Sequence, residues 1–133
     1  MTNYPRLNLR FKAAMIDSIF LATILYSTAY FSYDIFPDNL YLRLIFIFLP
    51  SLSYEPILLY FTGSSIGHKI YKIGVTHQNP AKKLNLFQCY IRYIVKILLG
   101  TFSLLFMFFT NKRQSFHDLV TATLVVFPAK SEN

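Results

Sequence analysis

Three long apolar segments, at about 13–31, 40–61 and 86–110, constrain this sequence more than any other feature. Each is close to or above the roughly 20 residues that an α-helix needs to cross a bilayer. Only 14% of the residues are charged and 54% are hydrophobic, whereas about 25% of a soluble domain is charged. A soluble fold this small could not bury so much apolar surface. We therefore predict an all-α, polytopic membrane helical bundle, formed by a single domain over residues 1–133.

The polar segments that flank the apolar ones differ in charge. Residues 1–12 and 62–85 together hold seven basic residues and no acid, whereas residues 32–39 hold two acids and no base. Cytoplasmic loops of membrane proteins carry an excess of Lys and Arg. We therefore predict a multi-pass topology in which the N-terminus and residues 62–85 are cytoplasmic and residues 32–39 lie outside.

Residues 62–85 also contain a helical pattern. Ile66, Ile70 and Ile73 fall on one helical face, opposite Lys69 and Lys72. Such a pattern is typical of a short basic amphipathic helix that lies among lipid headgroups. We predict a cytoplasmic amphipathic segment here.

The third apolar segment leaves two topologies open. A continuous span would place Lys112 and Arg113 outside, against the charge bias. A re-entrant hairpin broken at Gly100 would return the C-terminus to the cytoplasm. Each arm of that hairpin would be only about 18 Å long, short of the roughly 30 Å hydrocarbon core. Three spanning helices are favoured for this reason, and two spans plus a re-entrant hairpin remain the alternative.

Ionisable side chains interrupt the apolar segments. Such residues are costly in a membrane and mark functional sites or buried pairs. At 1.5 Å per residue, Asp17 and Glu55 both lie roughly 8–9 Å from the cytoplasmic ends of their spans. Arg92 and Lys96 enter the third segment from the same side. We predict one polar intramembrane cluster of these four residues, with Arg10 at its rim, which either fixes the helix register or forms a proton or cation pathway.

Four sequence blocks resemble the RDD family, small bacterial membrane proteins named for one arginine and two aspartates. Arg10–Asp17 is similar to its R-x-x-A-x-x-I-D pattern, and Gly63–Val75 is similar to its glycine-lysine block. Tyr90–Tyr93 and Arg113–Thr123 are similar to its third and closing blocks. The motif residues that the resemblance indicates are Arg10, Asp17, Gly67, Lys69, His117, Asp118 and Thr123. The resemblance implies a domain of the bacterial cytoplasmic (inner) membrane, with transport suggested for the family.

The sequence departs from the family pattern at three positions. Ser65 stands where Thr is frequent, His68 precedes Lys69 where Gly-Lys is usual, and Ala122 replaces the frequent Gly before Thr123. These departures fit the same fold, but with them the resemblance no longer implies that the polar site works identically.

Other kinds of site are not indicated. Cys89 is the sole cysteine, which excludes an internal disulfide, and the three histidines have no metal-ligand spacing. We predict no metal and no cofactor. Asp118 is expected to cap a helix or to pair with Arg113 rather than to act with His117 in proton transfer. The net charge of +7 resides mostly beside apolar segments, so nucleic acid is not a predicted partner.

Two functions of different classes fit these features, and neither is enzymatic. The first is a component of cation/proton or small-solute transport, with Asp17, Glu55 and Lys96 along the path. The second is a non-transporting adaptor or assembly partner of other membrane proteins. The lipid bilayer surrounds the protein in either case. Three helices can hardly enclose a pore, so transport would require a homo-oligomer.

Overall fold

Two long helices dominate the computed structural model, which describes residues 4–100 and 102–128. The helix α1 (Leu7–Ile35) and the helix α2 (Leu40–Thr62) pack against each other in opposite directions. With 29 and 23 residues they extend about 43 Å and 34 Å, enough to cross a hydrocarbon core. Both are apolar enough to span a membrane. The predicted membrane helical bundle is confirmed in this respect.

The turn between α1 and α2 is closed by one side chain. Arg43 donates hydrogen bonds to the carbonyl oxygens of Phe36 and Pro37, at 3.1 Å and 2.7 Å. These carbonyls follow the C-terminal end of α1, where backbone acceptors lack helical partners. The Asn39 side chain accepts from the Leu42 N–H and begins α2. The positive side chain of Arg43 thus fixes the turn, although its sequence is marked by two acids and no base in residues 32–39.

The third apolar segment is not one straight helix. The helix α4 (Leu86–Leu99) ends at Gly100, and the helix α5 (Phe102–Leu105) continues into a 3₁₀ turn (Phe106–Phe108). The two parts are bent by 101°. Gly100 has φ 52° and ψ −135°, a conformation that a residue with a Cβ rarely adopts. The continuous helix predicted over 86–110 is therefore not formed, and the break lies at the glycine named for the alternative hairpin.

Four short elements complete the fold. The helix α3 (Ile66–Ile70) and the strand β1 (Gly74–His77) follow α2, and the helix α6 (Phe116–Val120) and the strand β2 (Thr123–Val126) follow the 3₁₀ turn. The strands pair antiparallel, with Gly74 opposite Val126 and His77 opposite Thr123. Neither strand is predicted from the sequence, because four residues carry too little periodicity. The sheet is an addition to the helical bundle.

The predicted amphipathic helix in 62–85 is shorter than its pattern suggested. It ends at Ile70, and Lys72 has a left-handed backbone with φ 53°, which cannot continue a helix. Ile73 is buried in the core, whereas Ile70 is 57% exposed beside the exposed Lys69. The face of α3 that is buried consists of Gly67 and His68 instead.

The apolar core joins the short elements to the long helices. It consists of Ala13, Leu59, Ile73, Val75, Cys89 and Val125. Outside it, the large apolar side chains of α1 and α2 are widely exposed, as lipid contact requires.

Residues 113–126 lie at the end of the α1–α2 pair where α1 begins. β2 pairs with β1, which follows the end of α2, and Arg10 near the start of α1 donates to the Arg113 carbonyl at 2.8 Å. The polypeptide therefore returns to this end after α4. A return to the starting end is the geometry expected of two spans and a re-entrant hairpin, because a full third crossing would separate Arg113 from Arg10.

This geometry predicts the accessibility of single cysteines introduced into a Cys89→Ser background. Lys112→Cys and Lys69→Cys, both at exposed positions, should react with a membrane-impermeant maleimide from the same side of sealed vesicles. Asp38→Cys, in the turn between α1 and α2, should react only from the opposite side. If Lys112→Cys reacts from the same side as Asp38→Cys, the third segment makes a complete crossing instead.

Candidate functional site

Asp118 of α6 is the centre of a buried ion-pair cluster that joins three helices. Its Oδ1 accepts a hydrogen bond from Arg92 Nη1 of α4 at 2.9 Å, and its Oδ2 accepts one from Arg10 Nη2 of α1. All three side chains are at most 4% exposed. A buried charge without a partner is strongly destabilising. The Asp118 cluster, meaning Arg10, Arg92 and Asp118, therefore holds α1, α4 and α6 together.

Ser115 and His117 extend this cluster through hydrogen bonds. Ser115 Oγ donates to Asp118 Oδ2 at 2.7 Å, so it accepts at its 2.9 Å contact with His117 Nε2. The hydrogen of a neutral His117 is therefore on Nε2, and Nδ1 accepts from Ser103 Oγ at 2.7 Å. Protonation of His117 would remove the acceptor that Ser103 uses.

The electrostatics of the cluster agree with this assignment. Burial lowers the pKa of His117 well below its ordinary value; Asp118 opposes that effect, and Arg92 and Arg10 reinforce it. Burial raises the pKa of Asp118, but Arg92 and Arg10 outweigh burial and the pKa is lowered overall. At neutral pH the cluster thus contains an ionised Asp118 beside a neutral His117.

Asp17 of α1 is the second carboxylate, and it is 2% exposed. Its Oδ2 accepts from Ser65 Oγ at 2.6 Å, and its Oδ1 accepts from the Gly67 N–H at 2.8 Å and from Tyr54 Oη at 3.2 Å. Asp17 thereby fastens the start of α3 to both long helices. Gly67 is required for this approach, since a Cβ there would lie 2.0 Å from the Ala13 carbonyl oxygen.

His68 lies against the same carboxylate through Ser65. Because Ser65 Oγ donates to Asp17, its 2.5 Å contact with His68 Nδ1 places the hydrogen on Nδ1. Burial lowers the pKa of His68, although Asp17, at 3.6 Å from Nδ1, opposes that effect. His68 is therefore a neutral hydrogen-bond donor at neutral pH.

Lys96 of α4 is shared between two carboxylates. Its Nζ is 2.6 Å from Glu55 Oε1 of α2 and 3.9 Å from Asp17 Oδ2 of α1. We call these three residues the Lys96 site. With both acids ionised it has two negative charges and one positive charge. The Lys96 site and His117 line a cavity of about 520 Å³ between α1 and the broken third segment. The rest of the cavity wall is mostly apolar.

The structure divides the predicted polar cluster into two groups. Arg10 was expected at the rim, and Arg92 was expected beside the acids of the first two spans. Both instead bind Asp118. Lys96 contacts the two predicted acids. The difference arises because Asp118 follows the apolar segments in sequence. Its position therefore gave no indication that it lies inside the bundle.

The residues of the family motif also separate in space. His117 and Thr123 adjoin the Asp118 cluster, with Thr123 Oγ1 3.5 Å from Asp118 Oδ1. Gly67 contacts Asp17, whereas Lys69 is exposed on α3. Asp118 does take part in the cap of α6: it is the N3 residue of a capping box whose N-cap residue is Ser115. Arg113 contributes its backbone carbonyl to Arg10 instead of the expected ion pair with Asp118.

Several polar partners were missed by sequence reasoning. They are Tyr54, Ser65, His68 acting through Ser65, Ser103 and Ser115. The S-x-x-D spacing of Ser115 and Asp118 is a capping-box signature and could have indicated one of them. The others are brought together by tertiary contacts and carry no local signal. Within residues 4–100 and 102–128, no three His, Cys, Asp or Glu side chains come together as a metal site.

Two apolar helices long enough to span a bilayer, joined by ion pairs to α4 and α6, together with a broken third segment define a multi-pass integral membrane protein. The model of the RDD family matches residues 4–122, which is most of the chain. The protein belongs to the RDD family. The match includes every predicted motif residue except Thr123, which lies just beyond it. Comparisons with curated proteins and with solved structures each found no match.

The hydrogen bonding of Asp17 predicts a difference between two aspartates. Asp17→Ala should lower stability in detergent by about 3–5 kcal/mol, because Lys96 and three neutral donors lose their acceptor. Asp34→Ala, at an exposed position near the end of α1, should have little effect. The measurement is the thermal unfolding midpoint of each variant. Equal midpoints for the two variants would contradict the buried pairing.

The two buried histidines predict that stability falls on acidification. Both have a pKa lowered by burial, so the unfolded chain binds protons more readily as the pH falls below about 6.5. Stability should therefore be greatest at about pH 7.5 and decline increasingly as the pH is lowered through about 6.5 to about 5. In a His68→Gln/His117→Asn variant this decline should be smaller, whatever its stability at pH 7.5. An unchanged decline would indicate that other groups cause it.

Proposed function

We propose that the protein is a component of proton-coupled cation transport, and that the Lys96 site is its exchange site. The observation that supports the proposal is one ammonium shared by two carboxylates at the wall of a cavity. The site has one negative charge in excess when both acids are ionised. Such a site can accept one proton or one monovalent cation and so become neutral. Intramembrane acids with a basic partner are typical of ion and proton pathways.

The exchange would proceed through Glu55. A cation that enters the cavity competes with Lys96 for the Glu55 carboxylate, because both are single positive charges. Lys96 is already within 3.9 Å of Asp17 and can shift toward it. Protonation of Glu55 would release the cation, since a neutral carboxyl no longer attracts it. Asp17, held by Ser65, Gly67 and Tyr54, would keep its position throughout.

The proposal includes a homo-oligomer. Two spanning helices and a broken segment are too few to surround a path across the bilayer. The cavity is bordered by α1 on one side and by α4 and α5 on the other. A second copy placed against these helices by a symmetry axis would enclose it.

The proposal also includes an orientation. Exposed basic side chains gather at the end of the helix pair where the chain begins, among them Lys12, Lys69, Lys82 and Lys112. The exposed acids Asp34 and Asp38 fall at the opposite end. The positive-inside bias supports an orientation with the basic end on the cytoplasmic side of a bacterial cytoplasmic membrane. The return of the chain after α4 removes the conflict that Lys112 posed for three spans.

An adaptor function is the second candidate, and a different observation favours it. In residues 4–100 and 102–128, Arg43 Nε is the only buried side-chain polar atom without a hydrogen-bond partner. The buried charged groups therefore satisfy one another, as a purely structural network does. On this view the ion pairs fix the helix register, and the exposed apolar helices bind other membrane proteins. Neither candidate function involves catalysis.

Glu55→Gln separates the two functions. It preserves shape and hydrogen bonding at α2 but cannot alternate between ionised and protonated states. The expected result is loss of cation-driven proton flux in proteoliposomes, while the variant still assembles. Asp34→Asn removes one carboxylate charge at the opposite end and is the matched control, which should transport like the wild type.

A stability cycle completes the test. Glu55→Gln, Lys96→Gln and the double variant are unfolded thermally beside the wild type, and the coupling energy between the two positions is calculated. Absence of wild-type flux together with strong coupling would contradict transport and support the adaptor. Flux in Glu55→Gln equal to the wild type would remove Glu55 from the path.

A further inference from the structure

A second cavity, separate from the Lys96 site, lies at the basic end of the protein. Its volume is about 900 Å³, and it is formed by the end of α2, the sheet of β1 and β2, and the segment between β1 and α4. Lys82, Lys83 and Lys112 line it. These lysines come from two segments far apart in sequence, and the pairing of β1 with β2 brings their segments together. We call this cavity the basic groove.

The basic groove combines cations with an apolar wall. Tyr60 and Phe61, in the last turn of α2, line it, and Phe61 is 77% exposed. No acidic residue lines it, and its lysines make no ion pair within the described part of the chain. All three lysines are exposed. Unpaired cations that converge beside aromatic side chains can bind a ligand that is anionic at one end and apolar at the other.

The position of the groove selects among such ligands. Tyr60 and Phe61 end an apolar helix that is long enough to cross a membrane, so they lie where hydrocarbon gives way to headgroups. A phospholipid at this depth places its phosphate above the helix end and its acyl chains along the helix. Basic residues near anionic lipid each add to binding, and the effect is short-ranged.

We propose that the basic groove is a binding site for an anionic phospholipid. The phosphate and the anionic headgroup bind Lys82, Lys83 and Lys112, and the glycerol and upper acyl chains contact Tyr60 and Phe61. The lipid bridges the segment after β1 to the segment after the 3₁₀ turn. This site is independent of the Lys96 site and of any transport activity.

The test is a titration of the purified full chain in detergent with dioleoylphosphatidylglycerol, followed by native mass spectrometry and by the thermal unfolding midpoint. Dioleoylphosphatidylcholine, which has the same chains but no net charge, is the lipid control. The wild type should bind phosphatidylglycerol at least about tenfold more tightly than phosphatidylcholine. Phosphatidylglycerol, but not phosphatidylcholine, should also raise the thermal unfolding midpoint of the wild type.

Two triple variants locate the site. Lys82→Gln/Lys83→Gln/Lys112→Gln removes the cations of the groove. Lys12→Gln/Lys69→Gln/Lys72→Gln removes the same charge from exposed positions that do not line it. The first should lose about tenfold or more of the phosphatidylglycerol affinity, and the second should keep most of it. Equal losses of phosphatidylglycerol affinity in the two variants would indicate a diffuse effect of surface charge and would overturn the proposed binding site.

Inorganic phosphate distinguishes a lipid from a soluble ligand. If the groove recognises a lipid, millimolar phosphate should leave phosphatidylglycerol binding nearly unchanged, because the aromatic contacts contribute to it. Phe61→Ser should then weaken the lipid while leaving the lysines in place, and its exposed side chain makes misfolding a minor concern. Complete displacement by phosphate, or no effect of Phe61→Ser, would overturn the assignment to a lipid.

Discussion

The carboxylate of Asp118 is completely buried and lies between two arginine side chains. A single negative charge in this interior is tolerable only with close cationic partners, and Arg10 and Arg92 supply them. Arg10 is near the start of the chain, whereas Asp118 is near the end of the described part. Their contact brings the two ends of the domain together. Every element between them must accommodate that closure.

The broken third segment follows from this closure. After α4 the chain must return to α1 within few residues, and Gly100 permits the sharp change of direction. The same break leaves space beside α1, and the cavity of the Lys96 site occupies that space. The return also pairs β1 with β2 and so forms the basic groove. Both proposed sites therefore depend on the Asp118 cluster without including it.

The two carboxylate environments differ in how firmly each acid is held by its partners. Asp118 is fully buried between two guanidinium groups, which hold it in one state. Glu55 has one close partner, Lys96, which is itself partly exposed to the cavity and has a second acid within reach. A fixed pair can position helices, whereas a shared lysine can change partners. The proposed exchange belongs to the second environment for this physical reason.

The amino-acid pattern alone predicts a membrane protein with two long apolar helices, and it places Lys96 at nearly the same depth as Glu55 and Asp17. These depend on hydrophobic length and on depth along a helix, which are local properties at 1.5 Å per residue. The three-dimensional fold is needed to show that Arg10 and Arg92 bind Asp118, that the third segment breaks, and that Ser65 and Gly67 hold Asp17. These contacts join residues far apart in the chain. Their stability comes from pairing charges and polar groups in a low-dielectric interior, and no local pattern records which partner is chosen.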